Sequence, residues 1–326
     1  MTATRRQVLT AAVLASVCAI KLAGPAAAQQ WPAQDIHFVT GTAAGSGGDV
    51  IVRYFAEKIR PLAGRTIIVE NRVGALGGIA VEYVARSKPD GYTILIWGGG
   101  NTASMMALRK NPPIDVAKTL QVVATINRQA FMFVVDAKTP YRTLDDLTKA
   151  MLAKGDKASY ATSNNEATVM GEIYKQKTGV TAVEIPYKTA ADSINDIFSG
   201  AVDYAIHNPV LALAQRNQGK MRILGVGAND RFRSLPDIPT MAELGVPMNV
   251  IGWWSAIVPA GTPAEIVNRI NKLFVDVEST EETQKFLSNL GGDPLIKTPE
   301  EGQAMLVQDV ANWREYVRIA RITPQD

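Results

Sequence analysis

Short apolar runs alternate with amphipathic stretches along most of the chain. Residues 36–39 form an apolar run that is typical of a buried strand. After a loop of small residues, apolar positions spaced three to four apart over residues 50–59 predict an amphipathic helix. Because strand and helix signals keep alternating, the pattern predicts an α/β fold with largely parallel sheets. Further strands are predicted over residues 65–70, 92–97, 120–126, 131–135, 158–161, 183–187, 202–206 and 223–226.

The first predicted strand is followed by the loop TGTAAGSGGD, residues 40–49. A loop of small residues between a strand and a helix leaves backbone N–H groups uncovered at the positive end of the helix dipole. Such a loop can bind an anion, for example a carboxylate. Alternatively, its glycines only permit a tight turn. The candidate ligand-binding residues in this opening loop are Thr42, Ala43, Ala44, Gly45, Ser46, Gly47 and Asp49.

A second polar loop, residues 162–166, also separates a predicted strand from a predicted helix. It offers hydroxyl and amide donors beside a second helix N-terminus. If two domains face each other, the two helix N-termini converge on one cleft and suit a dicarboxylate, or a carboxylate with a second polar end. The other interpretation is simple helix capping by asparagine. Candidates in this loop and at neighbouring strand ends are Thr162, Ser163, Asn164, Asn165, Thr168, Trp97, Gly98, Asn101, Thr189, His207 and Asn208.

Threonine-led capping signals predict several helix starts. Thr143 and Thr240 are followed by acidic residues three positions later. Thr262 and Thr298 each precede a proline, which favours the first helical position. Each of these threonines is therefore expected to be an N-cap.

The chain length predicts two domains. Two adjacent strand-like runs mark a crossing near Asn127, and a proline-rich stretch, residues 231–240, marks the return. We therefore expect a discontinuous first domain, residues 29–127 plus 230–326, and a second domain, residues 128–229.

Residues 1–28 are expected to be an export signal. Arg5 and Arg6 precede a short apolar run, residues 8–20, and a small-residue cleavage motif ends at Ala28. The segment around the two arginines resembles a twin-arginine signal. Cys18 is the only cysteine, so cleavage is expected to give a periplasmic chain without disulfides or thiolate metal ligands.

The residue inventory argues against several kinds of chemistry. Loss of the leader's basic residues takes the net charge from +3 to about zero, which does not indicate a nucleic-acid or membrane-surface binder. His37 and His207 are the only histidines, which argues against a zinc site. Walker A and nucleophile-elbow motifs do not occur. We expect binding without catalysis, metal or cofactor; the alternative is an exported hydrolase that uses Ser46 or Ser163 with His207.

Five motifs occur in one order: VENRVGA at 69–75, KPDGYT at 88–93, IPYK at 185–188, LPDIPT with ELG at 235–245, and WSAIVPAGTP at 254–263. Together they resemble the Bug family, the periplasmic solute-binding proteins of tripartite tricarboxylate transporters. The resemblance implies a two-lobed, type II periplasmic-binding-protein fold. Each lobe would be a mostly parallel sheet flanked by helices, with the ligand cleft between the lobes. It also implies two partners, a small carboxylate and an inner-membrane permease made of large and small subunits; we expect a monomer.

The resemblance places the family's ligand loops on residues 41–49 and 162–168, where two departures bear on ligand choice. Glu166 either points to solvent or selects a ligand with an amino or hydroxyl group. Trp97 is bulky where a small residue is more usual, and it is expected to line the binding site of an aromatic or hydrophobic ligand. We therefore expect an extracytoplasmic protein that captures a dicarboxylate or aromatic acid and delivers it to the permease. A ligand sensor of the same fold is the alternative.

Overall fold

The computed structural model describes residues 31–325. The expected export signal, with Arg5, Arg6, Cys18 and the cleavage motif at Ala28, lies outside these residues. Within them, two separate β-sheets are each flanked by helices and define two lobes. None of the helices in this part of the chain is both long and apolar enough to cross a membrane.

The first lobe combines the two ends of the described chain. Its strands are β1 (Ile36–Thr40), β2 (Ile67–Asn71), β3 (Thr93–Gly98), β4 (Leu120–Ala130), β10 (Ile251–Pro259) and β11 (Gly292–Pro294). Their order across the sheet is β11–β4–β10–β3–β1–β2. Its helices are α1 (Gly47–Ala63), α2 (Gly78–Ala85), α3 (Gly99–Leu108), α4 (Val116–Thr119), α9 (Ala264–Glu278), α10 (Glu281–Asn289) and α11 (Pro299–Ile319).

The second lobe is formed by the middle of the chain. Its strands are β5 (Met132–Asp136), β6 (Ser159–Thr162), β7 (Val183–Pro186), β8 (Tyr204–His207) and β9 (Met221–Val226). They lie in the order β7–β6–β8–β5–β9. Its helices are α5 (Leu144–Lys154), α6 (Asn165–Thr178), α7 (Ile194–Ser199) and α8 (Pro209–Asn217).

Both sheets are mixed, and in each of them most of the described strands run in one direction, as expected. Strands β1, β2 and β3 pair in parallel, but β10 runs antiparallel to β3 and β4. In the second lobe, β5 runs antiparallel to β8 and β9. The cause is the crossing between lobes: Met132 at the start of β5 lies beside His207 and Val226, which end their strands. A strand that enters a sheet at the edge where its neighbours end must run in the opposite direction.

Stacked aromatic rings fill the interiors of the two lobes. Phe274 of α9 stacks on Phe38 and Phe55 at ring-centroid distances of 5.9 and 5.6 Å. Tyr160 and Tyr204 of the second lobe stack at 5.3 Å. Such closely packed interiors hold the strand ends, and therefore the loops that follow them, in fixed positions.

Two of the four threonine caps are confirmed as predicted. Thr143 and Thr298 each accept a hydrogen bond from the third helical residue in a full capping box. Helix α9 begins one residue later than predicted, with Pro263 as its N-cap, because the Thr262 hydroxyl donates instead to the carbonyl of Pro259 (2.8 Å). Thr240 forms the predicted capping-box hydrogen bonds, but the residues after it make a turn and no helix.

Candidate functional site

Four helices begin at the interface between the lobes. Ser46 caps α1, Asn164 caps α6 and Asn208 caps α8, each by accepting a hydrogen bond from a backbone N–H of the first turn. Helix α3 begins after Gly98 and has no side-chain cap. The interface is therefore rich in backbone N–H groups and in the positive ends of helix dipoles.

Two contacts show how these helix starts are paired. A Cβ atom on Gly47, in the first turn of α1, would lie 2.9 Å from Cγ1 of Val210 in the first turn of α8. Nδ2 of Asn101 in α3 donates to Oε2 of Glu166 in α6 (3.0 Å). The structure thus places α1 against α8 and α3 against α6, whereas the sequence suggested that α1 and α6 share one cleft.

The opening loop is held in shape by Asp49. Burial raises the pKa of its carboxyl, but hydrogen bonds from Arg53, Asn71 and the Gly45 amide outweigh burial and lower the pKa overall. The three donor atoms lie 2.8 Å from the carboxylate oxygens. Asp49 therefore organises the loop from within, while Thr42, Ala43, Ala44 and Ser46 remain partly or fully exposed.

Trp97 fills the space between two glycines of the first lobe. A Cβ atom would lie only 2.4 Å from its ring at Gly77 and 3.3 Å from its ring at Gly41. The ring meets Trp254 edge-on at 6.0 Å. Its buried Nε1 has no hydrogen-bond partner among the described residues. The structure therefore packs Trp97 beside the opening loop on the backbone of its own lobe.

The second loop lines a cavity of about 550 Å³ between the lobes, which we call the interlobe cavity. Its volume lies in the range of small-molecule binding sites. The lining does not include the opening loop, Trp97, Gly98 or Asn101. It combines the polar residues Thr162, Ser163, Asn164, Asn165, Thr168, Ser104 and Arg109 with the apolar or aromatic residues Leu76, Met105, Leu108, Pro186, Tyr187 and Ile322.

The polar groups of the second loop differ in their existing partners. The hydroxyls of Thr162 and Thr168 both donate to Oε1 of Glu184, at 2.6 and 2.5 Å. Asn165 Nδ2 contacts the Ser104 hydroxyl across the interface (3.3 Å). The Ser163 hydroxyl has no hydrogen-bond partner among residues 31–325. Ser163 is therefore the side chain of this loop best placed to donate to a ligand.

Arg109 is a residue of this cavity that sequence reasoning missed. It lies directly after α3, and its Nη1 donates to Oε1 of Glu82 (3.2 Å). It brings a permanent positive charge to the lining that also contains Ser163. No signal in the sequence marks it, because it is remote along the chain from both predicted loops.

The candidates at the ends of the second-lobe strands contact residues of their own lobe. His207 is 0% exposed, its Nε2 lies 3.3 Å from the Ser193 hydroxyl, and burial lowers its pKa to about 4. The hydrolase alternative paired His207 with Ser46 or Ser163, and the structure forms neither pair. Thr189 donates its backbone N–H to Asp192 (2.9 Å).

Glu166 does not face solvent, which corrects one of the two alternatives for it. The residue is only 2% exposed because its side chain turns towards the start of α3. Burial raises the pKa of its carboxyl to about 7.

Within the described chain, no group of three or more His, Cys, Asp or Glu side chains is arranged to hold a metal ion.

Comparison with known proteins settles the family. The model of the tripartite tricarboxylate transporter family receptor matches residues 51–321. This chain belongs to that receptor family, the Bug proteins. A UPF0065 protein of Bordetella bronchiseptica is 31% identical and is aligned over 98% of this chain and 95% of its own length.

Solved structures of Bug-like proteins agree with the fold. The periplasmic binding protein BugD superposes with a TM-score of 0.81 at 29% identity, covering 90% of this chain and 100% of BugD. The R. palustris protein Rpa4515, determined with adipate, has a TM-score of 0.84 at 27% identity and covers 90% of this chain and 99% of its own. The two-lobed periplasmic-binding-protein fold implied by the motifs is thus confirmed for this Bug protein.

Proposed function

We propose that this Bug protein is a periplasmic solute-binding protein that captures a small organic carboxylate in the interlobe cavity. The observation that carries the proposal is the set of groups converging there. The N-terminus of α6, the free Ser163 hydroxyl and the Arg109 guanidinium all favour an anion. Membership of the transporter receptor family supports delivery of the ligand to a membrane permease without chemical change.

The lining also limits the kind of carboxylate. Leu76, Met105, Leu108 and Ile322 offer an apolar wall opposite the polar loop. An acid with an apolar body, such as a linear aliphatic diacid or an aromatic acid, can pair its carboxylate with the loop and bury its carbon atoms against this wall. The adipate bound to Rpa4515 has this character.

The first prediction concerns the carboxylate itself. We expect adipate or benzoate to raise the thermal unfolding midpoint, and their uncharged counterparts adipamide and benzamide to leave it unchanged. A ligand at 100 times its dissociation constant should stabilise the protein by about 2.7 kcal/mol. Equal stabilisation by acid and amide would contradict the proposal.

The second prediction locates the site. Replacement of Ser163 by alanine should weaken the best carboxylate roughly tenfold or more, because a hydrogen bond to a charged group is worth about 1.5–3 kcal/mol. Isothermal titration calorimetry measures the change. Ser199→Ala, an exposed serine of the same lobe outside the cavity, is the matched control and should bind normally. Equal affinity of the two variants would show that the carboxylate lies elsewhere.

The expected opening-loop residues remain a proposal for longer ligands. Ser46→Ala distinguishes the two possibilities, since a diacid that spans from the second loop to the opening loop would lose affinity in this variant too. We also propose that the domain boundaries fall where the chain passes between the sheets. The first crossing lies between Ala130, which ends β4, and Met132, which begins β5, a few residues after the expected position at Asn127, and the second lies near residue 230. The protein is proposed to reach the periplasm through its N-terminal 28 residues.

A further inference from the structure

A second cavity, of about 640 Å³, lies where the chain returns to the first lobe, and we call it the hinge cavity. Its lining includes residues 249–251, which lead into and begin β10, together with Gly100 of α3, Glu166 of α6 and one face of α11. The Asn101–Glu166 and Ser104–Asn165 hydrogen bonds join α3 to α6. Glu166 lines only the hinge cavity and Asn165 only the interlobe cavity, so the two cavities are distinct.

Two carboxylates in the hinge cavity lack a cationic partner. Oε2 of Glu166 is hydrogen-bonded to Asn101, but Oε1 has no partner side chain among residues 31–325. Asp309 accepts hydrogen bonds from Trp253 Nε1 (2.7 Å) and Asn312 (3.1 Å), which are both uncharged. Burial raises the pKa of both carboxyls, to about 7 for Glu166. When they are ionised, the two carboxylates carry negative charge that no basic side chain among the described residues neutralises.

The basic side chains that line the hinge cavity are already engaged. Arg128 pairs with Asp293 (3.2 Å) and lies over the ring of Phe232. Lys297 pairs with Glu301 (3.1 Å). Neither one forms an ion pair with Glu166 or Asp309. Neither basic side chain would therefore compete with a cation from solution for Glu166 or Asp309.

Aromatic rings surround the same space. Trp253, Trp313 and Tyr316 all line the cavity, and Trp313 meets Tyr316 edge-on at 5.7 Å. A Cβ atom on Gly100 would lie 3.6 Å from Trp313 Nε1, 3.7 Å from Glu166 Oε1 and 3.8 Å from Asp309 Oδ2. Trp313 is only 2% exposed. Trp313, Glu166 and Asp309 therefore all border one small volume beside Gly100.

We propose that the hinge cavity binds a small organic ammonium ion between Glu166, Asp309 and the rings of Trp253, Trp313 and Tyr316. Carboxylates neutralise the charge of such an ion, and an aromatic ring attracts it wherever the ion lies over the face of the ring. An organic cation fits better than a metal ion, because two carboxylates and aromatic rings do not supply the oxygen ligands that a bare divalent cation requires. The site extends the protein's function beyond carboxylate binding and does not depend on it.

Choline is a suitable probe, with 3,3-dimethyl-1-butanol as the uncharged molecule of the same shape. Calorimetric titration at pH 8, where the Glu166 carboxyl is largely ionised, should show choline binding at least tenfold tighter than the alcohol. Equal affinity for the two compounds, or binding of neither at millimolar concentration, would overturn the proposal.

Substitutions assign the binding to this cavity. Glu166→Gln and Asp309→Asn keep the shape and the hydrogen bonds but remove one charge each, and each should weaken choline at least tenfold. Glu300→Gln, an exposed acid of the same helix α11 outside the cavity, should bind choline like the wild type. Trp313→Phe should retain much of the affinity, whereas Trp313→Leu should lose it.

The wild-type comparison of choline with its neutral counterpart holds even if a variant folds poorly. Wild-type affinity in both charge-removed variants would place the choline elsewhere and refute the assignment. Choline and adipate are predicted to bind through different side chains, so the Glu166→Gln variant should bind adipate like the wild type. Titration of adipate into this variant therefore tests the interlobe cavity separately.

Discussion

At the residue scale, contacts with residues that are remote along the chain set the direction of the Glu166 side chain and the position of Arg109. Glu166 stands directly after Asn165 in the first turn of α6, and nothing in the local sequence decides whether its side chain faces solvent or is buried. Its direction depends on Asn101, which is 65 positions away along the chain. Arg109 was missed for the same reason, because only the fold brings it to Ser163.

Glu278 is another buried carboxyl, and it leads to a direct prediction about stability. The residue is 0% exposed, and neither carboxyl oxygen has a hydrogen-bond partner among the described residues. Burial raises its pKa to about 10. The folded protein therefore holds a proton that the unfolded chain releases above its ordinary pKa near 4.5. The free energy of unfolding is therefore unaffected by this group below about pH 4.5, and it falls progressively as the pH rises from there towards 10.

We expect Glu278→Met to raise the free energy of unfolding at pH 8 by about 2–4 kcal/mol, because the apolar side chain needs no proton and leaves no unpaired oxygen. The gain should shrink at pH 5. Urea unfolding at both pH values measures it. Glu265→Met, on the exposed side of the same helix, is the control and should change stability by less than about 0.5 kcal/mol. A gain that did not depend on pH would mean that Glu278 is ionised in the folded protein.

At the element scale, local signals predicted most strands of the fold, and non-local pairing explains what was missed. The apolar runs identified β1 to β9 within a few residues. Strand β10 was not predicted, although residues 251–259 are largely apolar, because glycine and serine interrupt the run. Its antiparallel direction was beyond local reasoning, since it follows from the return of the chain between lobes.

The turn that leads into α2 shows how one element limits another. Gly77 has φ +90°, and a Cβ atom there would lie 2.4 Å from the Trp97 ring. Gly45 has a similar φ of +77° but no atom within 4 Å of its Cβ position. A substitution at Gly45 would therefore cause backbone strain alone, whereas one at Gly77 would add steric overlap with the Trp97 ring.

We expect Gly45→Ala to lower the free energy of unfolding by about 1–2 kcal/mol, which is the usual cost of a left-handed conformation for a residue with a Cβ. Gly77→Ala should cost clearly more, because the Trp97 ring must also move. Thermal or chemical unfolding of the two variants gives the comparison. Equal losses would indicate that Trp97 is loosely packed at this point.

At the scale of the whole molecule, hydrogen bonds join the two lobes in addition to the segments of chain that cross between them. Asn101–Glu166 and Ser104–Asn165 connect the lobes through α3 and α6, between the two cavities. Closure around a ligand is the usual behaviour of two-lobed binding proteins. The sequence predicted that helix starts would gather between the lobes, but their pairing depends on how the lobes pack, which no local pattern records.

The decisive measurement is the structure of the complex with the carboxylate that binds most tightly. We expect a carboxylate group within hydrogen-bond distance of Ser163 and the first backbone amides of α6, with the carbon chain or ring packed against Leu76, Met105 and Leu108. A ligand bound only by residues 42–47, with the second loop unchanged and the interlobe cavity empty, would contradict it.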